Sequence, residues 1–423
     1  MAPRQVSVRL LHLGDIHIGV ENYGRVDPAT GYHTRLQDFA RCLEHAVDVA
    51  LEQQVDAVLF AGDAYRTASP SPTHQQVLAG ALLRLLAAGL PIVMVTGNHD
   101  LPVSFGRATS LDIFATFAPE QIRVVRRPEL VTIDTRSGPL QVACLPWPTR
   151  SSVLADEELA GKSDRDIRTW LETRLRECID AFAAQVDPAQ PAVLLSHIIA
   201  LEAVFSGSEQ MLLGSIDPVV SNGMLANPAF DYVALGHVHR HQNLNAASRP
   251  PVVYCGSLDR IDFGEHKDAK GVCLVTIGDG ADPETRAASF DFVGVPARPF
   301  LPIELDIPPE AEPTQWLTGK LDGYELADAV VRLRYRCSDD QERELDLRAV
   351  RAAMRDAHLV AGIARERPAD PRRPRVEISE HHDTLDALGR YLDSRPDLAG
   401  LREELLVAAR EFDERLRARD EGA

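Results

Sequence analysis

Five stretches of this sequence place metal-binding or proton-moving side chains directly after an apolar run. "VSVRLLHLGDIH" delivers Asp15 and His17, "VDAVLFAGD" delivers Asp63, and "LPIVMVTGNHD" delivers Asn98, His99 and Asp100. "PAVLLSH" ends in His197, and "DYVALGHVH" in His237 and His239. Each apolar run reads as a buried strand. Ligands of open α/β sheets bind beyond the carboxyl ends of the strands, so strands gathered with those ends together would bring the polar residues to one place. Asp15 and His17, like His237 and His239, are two residues apart, and extended backbone points such pairs to the same side. Gly14, Gly62, Gly97 and Gly236 stand just before the candidate ligands, where they would let the backbone turn sharply and approach closely. His17, His197, His237, His239, Asp15, Asp63 and Asn98 form a mixed nitrogen and oxygen set. Such a set suits Mn, Fe or Zn better than an all-oxygen magnesium or calcium site. It is too large for one tetrahedral ion and fits two ions sharing a carboxylate. Two such ions ~3.5–4 Å apart can clamp the attacking and leaving oxygens of an in-line displacement. An imidazole beside them can serve as general acid.

The elements that would position these residues alternate along the chain. Residues 33–53 place Leu36, Phe39, Leu43, Val47 and Leu51 on one helical face. Residues 72–88 and 163–185 read as two more helices. The alternation indicates an α/β sandwich. From about residue 250 the pattern changes to short strands, "PPVVYCGS", "KGVCLVTI", "AASFDFVGV" and "FLPIELDI", expected to form a second sheet packed on the first. A Pro-rich stretch, 295–313, marks a boundary. Beyond it lies a small α+β piece in which Arg332, Arg334 and Arg336 share one strand face. Helices follow, and in the last of them Leu401, Leu405, Ala409, Phe412 and Leu416 make an apolar stripe.

The bulk properties set limits. A chain of 423 residues, 45% hydrophobic, suggests two or three domains with a large core. No segment is apolar enough to span a bilayer, and the N-terminus lacks a signal-peptide pattern. The six cysteines have no C-x-x-C spacing and read as buried thiols in a reducing cytosol. A net charge of −18 argues against a generic nucleic-acid coat. It leaves a nuclease open, because bound divalent ions reverse the local charge. The basic residues are almost all Arg, with Lys only at 162, 267, 270 and 320.

The ordered series D-x-H, G-D, G-N-H-D, a lone strand-end His and G-H-x-H resembles the signature of calcineurin-like metallophosphoesterases. Within them the chain is similar to the SbcD family of nuclease subunits. "HLGDIHIG", "GHVHRHQ" (236–242) and "YCGSLDRIDFGE" (254–265) carry that closer likeness. It covers residues 8 to about 295 and fades beyond. The resemblance implies a layered metallophosphoesterase β-sandwich flanked by helices over 1–295. It further implies a small capping and DNA-binding α+β domain over 296–380, and C-terminal helices over 381–423 that dock on a partner or pack on the cap. It implies two divalent ions, Mn²⁺ above others, with Asp15, His17 and His239 on the first, Asn98, His197 and His237 on the second, and Asp63 bridging. His99 resembles the family's catalytic histidine, which donates a proton to the leaving oxygen or steadies the charged phosphorus centre. The implied partners are DNA, an SbcC-like coiled-coil ATPase and a second copy of the chain, and the expected location is the cytoplasm.

One departure concerns the residue that orients His99. Relatives commonly carry an acidic residue or histidine where Arg66 stands, and a guanidinium cannot accept a hydrogen bond. Asp100 is then a candidate orienter of His99. Arg66 either contacts substrate phosphate or is exposed without a role. His12 and His241 lie near the motifs but outside the pattern and read as non-ligands. The Arg face of 332–336 and "RERPADPRRPR" (365–375) are candidate contacts to a DNA backbone, or solvated surface. Two other readings share the motifs: a cytosolic phosphatase or cyclic-nucleotide phosphodiesterase, and a non-catalytic interaction subunit, which would have eroded ligands.

Overall fold

The computed structural model describes residues 7–102, 107–148, 163–207, 217–367, 384–393 and 396–410. Strands and helices alternate at first: β1 (Val8–Leu13), α1 (Thr34–Glu52), β2 (Ala57–Phe60), α2 (Pro72–Ala87), β3 (Ile92–Val95), α3 (Asp112–Phe117) and β4 (Ile122–Val125). Then come β5 (Glu129–Thr135), β6 (Gly138–Leu145), α4 (Asp164–Gln185), β7 (Ala192–His197), the short β8 (Ile199–Ala200) and β9 (Val219–Val220), and α5 (Asn222–Leu225). β10 (Tyr232–Gly236), β11 (Gln242–Asn243), β12 (Val252–Tyr254), β13 (Gly271–Ile277) and β14 (Ala288–Gly294) follow. The last elements before residue 366 are β15 (Phe300–Asp306), α6 (Pro313–Leu321), β16 (Val330–Arg336), α7 (Asp339–Glu344), α8 (Leu347–Ala353) and β17 (Leu359–Arg365). The long helices start where side chains take up free backbone N–H groups: His33 for α1, Ser71 before Pro72 for α2, and a Ser163–Asp166 capping box for α4.

Two six-stranded sheets make the body, ordered β14-β13-β1-β2-β3-β4 and β11-β12-β10-β7-β6-β5. Their facing sides share one core. Leu10, Leu59 and Val93 from the first sheet meet Val142, Leu195 and Ala234 from the second. The next residues along the strands point the other way. Leu11, Val58 and Met94 pack on Cys42, Val47 and Leu82 of α1 and α2, and Leu194 and Val233 pack on Leu175 and Ile179 of α4. The central strands are therefore buried on both faces and read as continuous apolar runs.

The expectation that the short strands after residue 250 form one second sheet is overturned. β12 joins β10, β13 and β14 extend the first sheet beside β1, and β15 belongs to a third sheet, β15-β16-β17. Local alternation cannot tell which edge a strand will pair with. β13 is drawn to β1 by an antiparallel register, Val8 opposite Ile277, 269 positions away (277 − 8).

The third sheet has its own core of Ile303, Val331, Leu333, Leu317 and Val350. Its arginine face is not free. β15 and β16 run parallel with Glu304 opposite Arg334 and Asp306 opposite Arg336, and Arg336 bonds Asp306 at 3.0 Å. Arg332 lies over the Phe263 ring, 4.1 Å from its centroid. The chain divides into two compact units, 1–364 and 365–423. The second contains α9 (Thr384–Asp393), with Leu392 buried, and a helical stretch in which Leu401 and Leu405 are exposed. Phe412, Leu416 and the basic run from 368 lie outside the described residues. All six cysteines are free thiols. Among the described residues no helix is long and apolar enough to cross a membrane.

A buried charge cluster ties the third sheet to the body. Asp38 on α1, fully buried, accepts from Arg35 (2.9 Å), from Arg41 (2.9 Å) and twice from Arg298 (2.7 and 2.6 Å). Arg35 also reaches Asp259 at 3.1 Å, and Arg298 the Asp328 carbonyl at 2.7 Å. Burial pushes the Asp38 carboxyl up, but the guanidinium groups of Arg298, Arg35 and Arg41 outweigh it and hold it below its ordinary value. A carboxyl lowered on folding stabilises above its unfolded pKa, and that contribution is lost as pH falls through the folded value. Asp38→Asn should therefore cost roughly 3–5 kcal/mol near neutral pH, the range for breaking a buried pair. The gap from the wild type should shrink in acid below the ordinary carboxylate range, measured as urea unfolding against pH.

Candidate metal centre

His197 closes β7, the other polar residues lie in loops past the strand ends, and at four of them the backbone is not extended. Asp15 (φ 49°), His17 (φ 53°), Asp63 (φ 56°) and His237 (φ 99°) all occupy the left-handed region. The i, i+2 argument from extended backbone therefore fails for Asp15 and His17, and tertiary contacts aim these side chains instead. Such conformations cost on the order of 1–3 kcal/mol each unless the surroundings hold them. Here Asp15 N donates to the Gly62 carbonyl (2.9 Å), His17 N to the Asp63 carbonyl (3.0 Å), and His237 N to the Asp15 carboxylate (2.9 Å). Two glycines are required by space. A Cβ on Gly62 (φ 89°) would lie 2.5 Å from His197 Nδ1, and one on Gly97 would lie 2.6 Å from Asp63 N and collide with Asp63 Oδ1.

All seven expected ligands converge, with atoms able to bind a metal facing one another. His197 Nδ1 donates to the Ala61 carbonyl at 2.6 Å. In the neutral ring this leaves a lone pair on Nε2, which faces Asn98 Oδ1 at 3.1 Å and Asp63 Oδ2 at 3.4 Å. His239 Nδ1 donates to Glu265 Oε1 at 2.8 Å, so its Nε2 lone pair faces His17 Nε2 at 3.1 Å. His237 Nδ1 meets Asn98 Oδ1 at 3.1 Å, while its buried Nε2 has no hydrogen-bond partner among the described residues. His17 Nε2 is 3.7 Å from Asp63 Oδ2. Ligand atoms of Asp15, His17 and His239 lie within 4.8 Å of one another, and so do those of Asp15, Asp63 and His197. Ligand atoms gathered this tightly need a positive charge among them, either a proton on a ring nitrogen or a cation between them. The donor set and its geometry fit divalent metal ions.

The electrostatics agree. Burial pushes Asp15 up to about 6, against the pull of His197 and His239. Burial opposes charge on Asp63 too, yet His197 and His17 hold its carboxyl well below the usual carboxylate range. Burial pulls His197 down, but Asp63 and Asp15 together raise it to about 9. A proton on His197 thus takes the place of a cation beside Asp63. Burial keeps His17 and His237 well below the ordinary imidazole value, hence neutral and able to ligate.

His99 stands beside this cluster, its ring 4.9 Å from that of His17. Its backbone N–H donates to Asp63 Oδ1 at 2.9 Å. Asp100 does not orient its ring. Asp100 is fully buried, and its carboxylate accepts backbone N–H groups from Asp63 (2.8 Å), Gly97 (2.9 Å) and Ala64 (3.1 Å). Burial and the neighbouring Asp63 charge push it up to about 7. It splints two ligand loops together. The His99 ring is oriented by the backbone carbonyl of Arg66, which Nδ1 meets at 2.9 Å. The side chain at 66 is exposed, so its inability to accept a hydrogen bond is immaterial.

His12 and His241 are non-ligands. Buried His12 bonds the Tyr232 hydroxyl (3.1 Å) and the Leu235 carbonyl (3.2 Å). His241 stacks on Phe292, with Nδ1 on the Tyr254 carbonyl at 2.9 Å. Sequence reasoning missed the residues behind the ligands. Glu265 stands behind His239 at 2.8 Å and is itself paired with Lys270 at 2.7 Å, and Trp147 stacks on His237 with ring centroids 4.7 Å apart. The signal for Glu265 was a carboxylate closing the distinctive "GSLDRIDFGE"; Trp147 had none.

The profile of the family described as calcineurin-like phosphoesterase matches residues 8–241, and the chain belongs to that family. It is a metal-dependent hydrolase. Among curated relatives it is similar to the D subunit of the SbcCD nuclease of Bacillus subtilis (strain 168), 28% identical over 286 residues, spanning 65% of this chain and 68% of that protein. Among solved structures it matches TT1561 of Thermus thermophilus (16% identity, TM-score 0.37). It also matches a dimetal phosphatase from Danio rerio, LOC 393393 (11% identity, TM-score 0.36). Each match covers 67% of this chain and 98% of the other.

The splint role of Asp100 has a direct consequence. Asp100→Ala strands three buried N–H groups, at about 1–3 kcal/mol each. It should lower the urea midpoint of the metal-free protein and weaken divalent-ion binding by calorimetry. A stable variant with unchanged ion affinity would refute the splint.

Proposed function

We propose that the chain is a two-metal DNA nuclease that hydrolyses phosphodiester bonds at DNA ends in double-strand break and hairpin processing, as the nuclease partner of an SbcC-like coiled-coil ATPase. The observation that carries the hydrolytic part is the convergence of metal-ligating atoms around Asp63. In this reading Asp15, His17 and His239 would hold one ion, Asn98, His197 and His237 the other, and Asp63 would serve both. The ions, Mn²⁺ in this proposal, supply Lewis acidity and positive charge to the phosphorus centre. The protein supplies the rest. The left-handed turns at Asp15, His17, Asp63 and His237 fix the ligands, Asp100 locks the Asp63 and Gly97 loops together, and His99 protonates the leaving oxygen. With Nδ1 engaged by the Arg66 carbonyl, Nε2 is the atom of His99 left for that proton.

Two facts support DNA over a small phosphoester. One is the likeness to the SbcCD nuclease component. The other is a groove of about 520 Å³ where α8 meets the loop before α1, lined by Arg25, Arg348, Arg351 and Arg355 and by no carboxylate. In a chain of net charge −18 such a local excess of positive charge suits a phosphate backbone. We assign residues 1–295 to the nuclease body, 296–380 to a capping domain that helps bind DNA, and 381–423 to docking on the ATPase. We also assign a homodimer and a cytosolic location, the latter supported by the free thiols.

Purified protein with Mn²⁺ should cleave linear duplex or single-stranded DNA, and EDTA should abolish the cleavage. His99→Ala should lower kcat by about 10²–10⁴, the range for a general acid, while ion binding by calorimetry stays intact. Brisk turnover of a small phosphodiester with no cleavage of DNA would favour the phosphatase reading. Replacing Arg348, Arg351 and Arg355 together by Gln should weaken DNA binding and flatten its salt dependence by roughly 0.9 in slope for each phosphate no longer neutralised. Hydrolysis of a small phosphodiester should be unchanged in that variant.

A further inference from the structure

Four lysines occur among 45 basic residues, and one of them, Lys270, is buried against the metal centre. Its ammonium group donates to Glu265 Oε2 (2.7 Å), to Ser257 Oγ (2.7 Å) and to the carbonyl of His239 (3.0 Å). Three protons thus meet three acceptors, a tetrahedral arrangement that a planar guanidinium cannot reproduce. Glu265 is equally committed. Oε1 receives His239 Nδ1–H at 2.8 Å, and Oε2 receives Lys270 and the Ile261 N–H (3.1 Å), while Ser257 Oγ accepts from Lys270 and gives its proton to the Asp259 carbonyl at 3.0 Å. Glu265, Lys270 and Ser257 are all buried, so every polar atom of the set must be paired within the protein.

The network touches His239 at two points, ring and backbone. The ring contact fixes the tautomer, because the proton held on Nδ1 leaves Nε2 as a lone pair aimed at His17. The backbone contact, from Lys270 to the His239 carbonyl, prevents the turn that carries His239 from sliding. The other rings are held differently. A backbone carbonyl orients His197, and the stack on Trp147 steadies His237. His239 is oriented instead by a side-chain carboxylate with a buried cation of its own.

We propose that Glu265 is the positioning residue for His239, with Lys270 and Ser257 as its clamp, and that the trio selectively sets the affinity of the ion site built on Asp15, His17 and His239. This rests on His239 being a ligand. A hydrogen-bonded carboxylate behind a ligating imidazole commonly controls metal affinity by 10–100-fold.

The test uses the full chain, stripped of metal and titrated with Mn²⁺ by calorimetry and with Co²⁺ by visible absorption. The wild type should show two ion sites. Glu265→Ala should weaken one of them 10–100-fold, change the Co²⁺ absorption of that site, and leave the other site within about twofold. Glu265→Gln keeps an oxygen for Nδ1–H and should fall between the two. It also serves if the Ala form does not fold. Lys270→Arg, with the charge kept but the geometry lost, should weaken the same site. Two sites unchanged in a folded Glu265 variant would overturn the proposal. So would both sites weakening in equal proportion with a lowered melting temperature, which is the mark of a merely structural role. A wild-type protein that binds no divalent ion would instead overturn the ligand assignment on which the proposal rests. DNA cleavage enters none of these readouts, so failure of the nuclease reading remains a separate result.

Discussion

The gathering of seven metal-ligating side chains into one largely buried space is the constraint on which the rest of this structure depends. Imidazole nitrogens, a carboxamide oxygen and two carboxylates are turned toward one another in a buried space. Left alone they would spread apart or take up protons, and Asp63 and Asp15 favour a proton on His197. Holding them together takes a scaffold stiffer than any loop. The two sheets provide it, because five strands buried on both faces stop at nearly the same level. Strain is then stored beyond the strand ends, at Asp15, His17, Asp63 and His237, where backbone bonds and the Asp100 splint hold it.

A second set of contacts decides which nitrogen each ring offers. Ala61 and Arg66 do this through their carbonyls, and Glu265 through its carboxylate. Backbone acceptors serve whatever side chain is attached, so residue 66 orients His99 although its guanidinium cannot accept a hydrogen bond. The carboxylate behind His239 differs in being replaceable and chargeable, and it comes with its own buried cation.

The third sheet shows how charge is distributed between structure and surface. Its strand arginines, which alternate cleanly in the sequence, are neutralised by Glu304 and Asp306 or covered by Phe263. The arginines that line a groove come from elsewhere, from α8 and from the loop before α1. Asp38 and Arg298 anchor this sheet to the body across 260 residues of sequence.

The strands that end at the site, the three long helices within a residue or so at each end, and the placing of the seven candidate ligands after apolar runs were legible in the sequence, because each is written in local pattern; β4, β5, β6 and β17 were not read from it. An apolar run, a cap or a glycine before a polar residue depends on its immediate neighbours. Several features were not local and were not legible. Sheet membership after residue 250 depended on which edge each strand met. The aim of Asp15 and His17 came from left-handed turns rather than extended spacing. Asp100 splints loops instead of orienting His99, and Glu265 acts 26 residues away from His239. The sequence by itself determined which donors are present and that they follow strands. Only the tertiary structure decided what faces what, because hydrogen bonds and charge pairs between distant segments exist only once the sheets have closed.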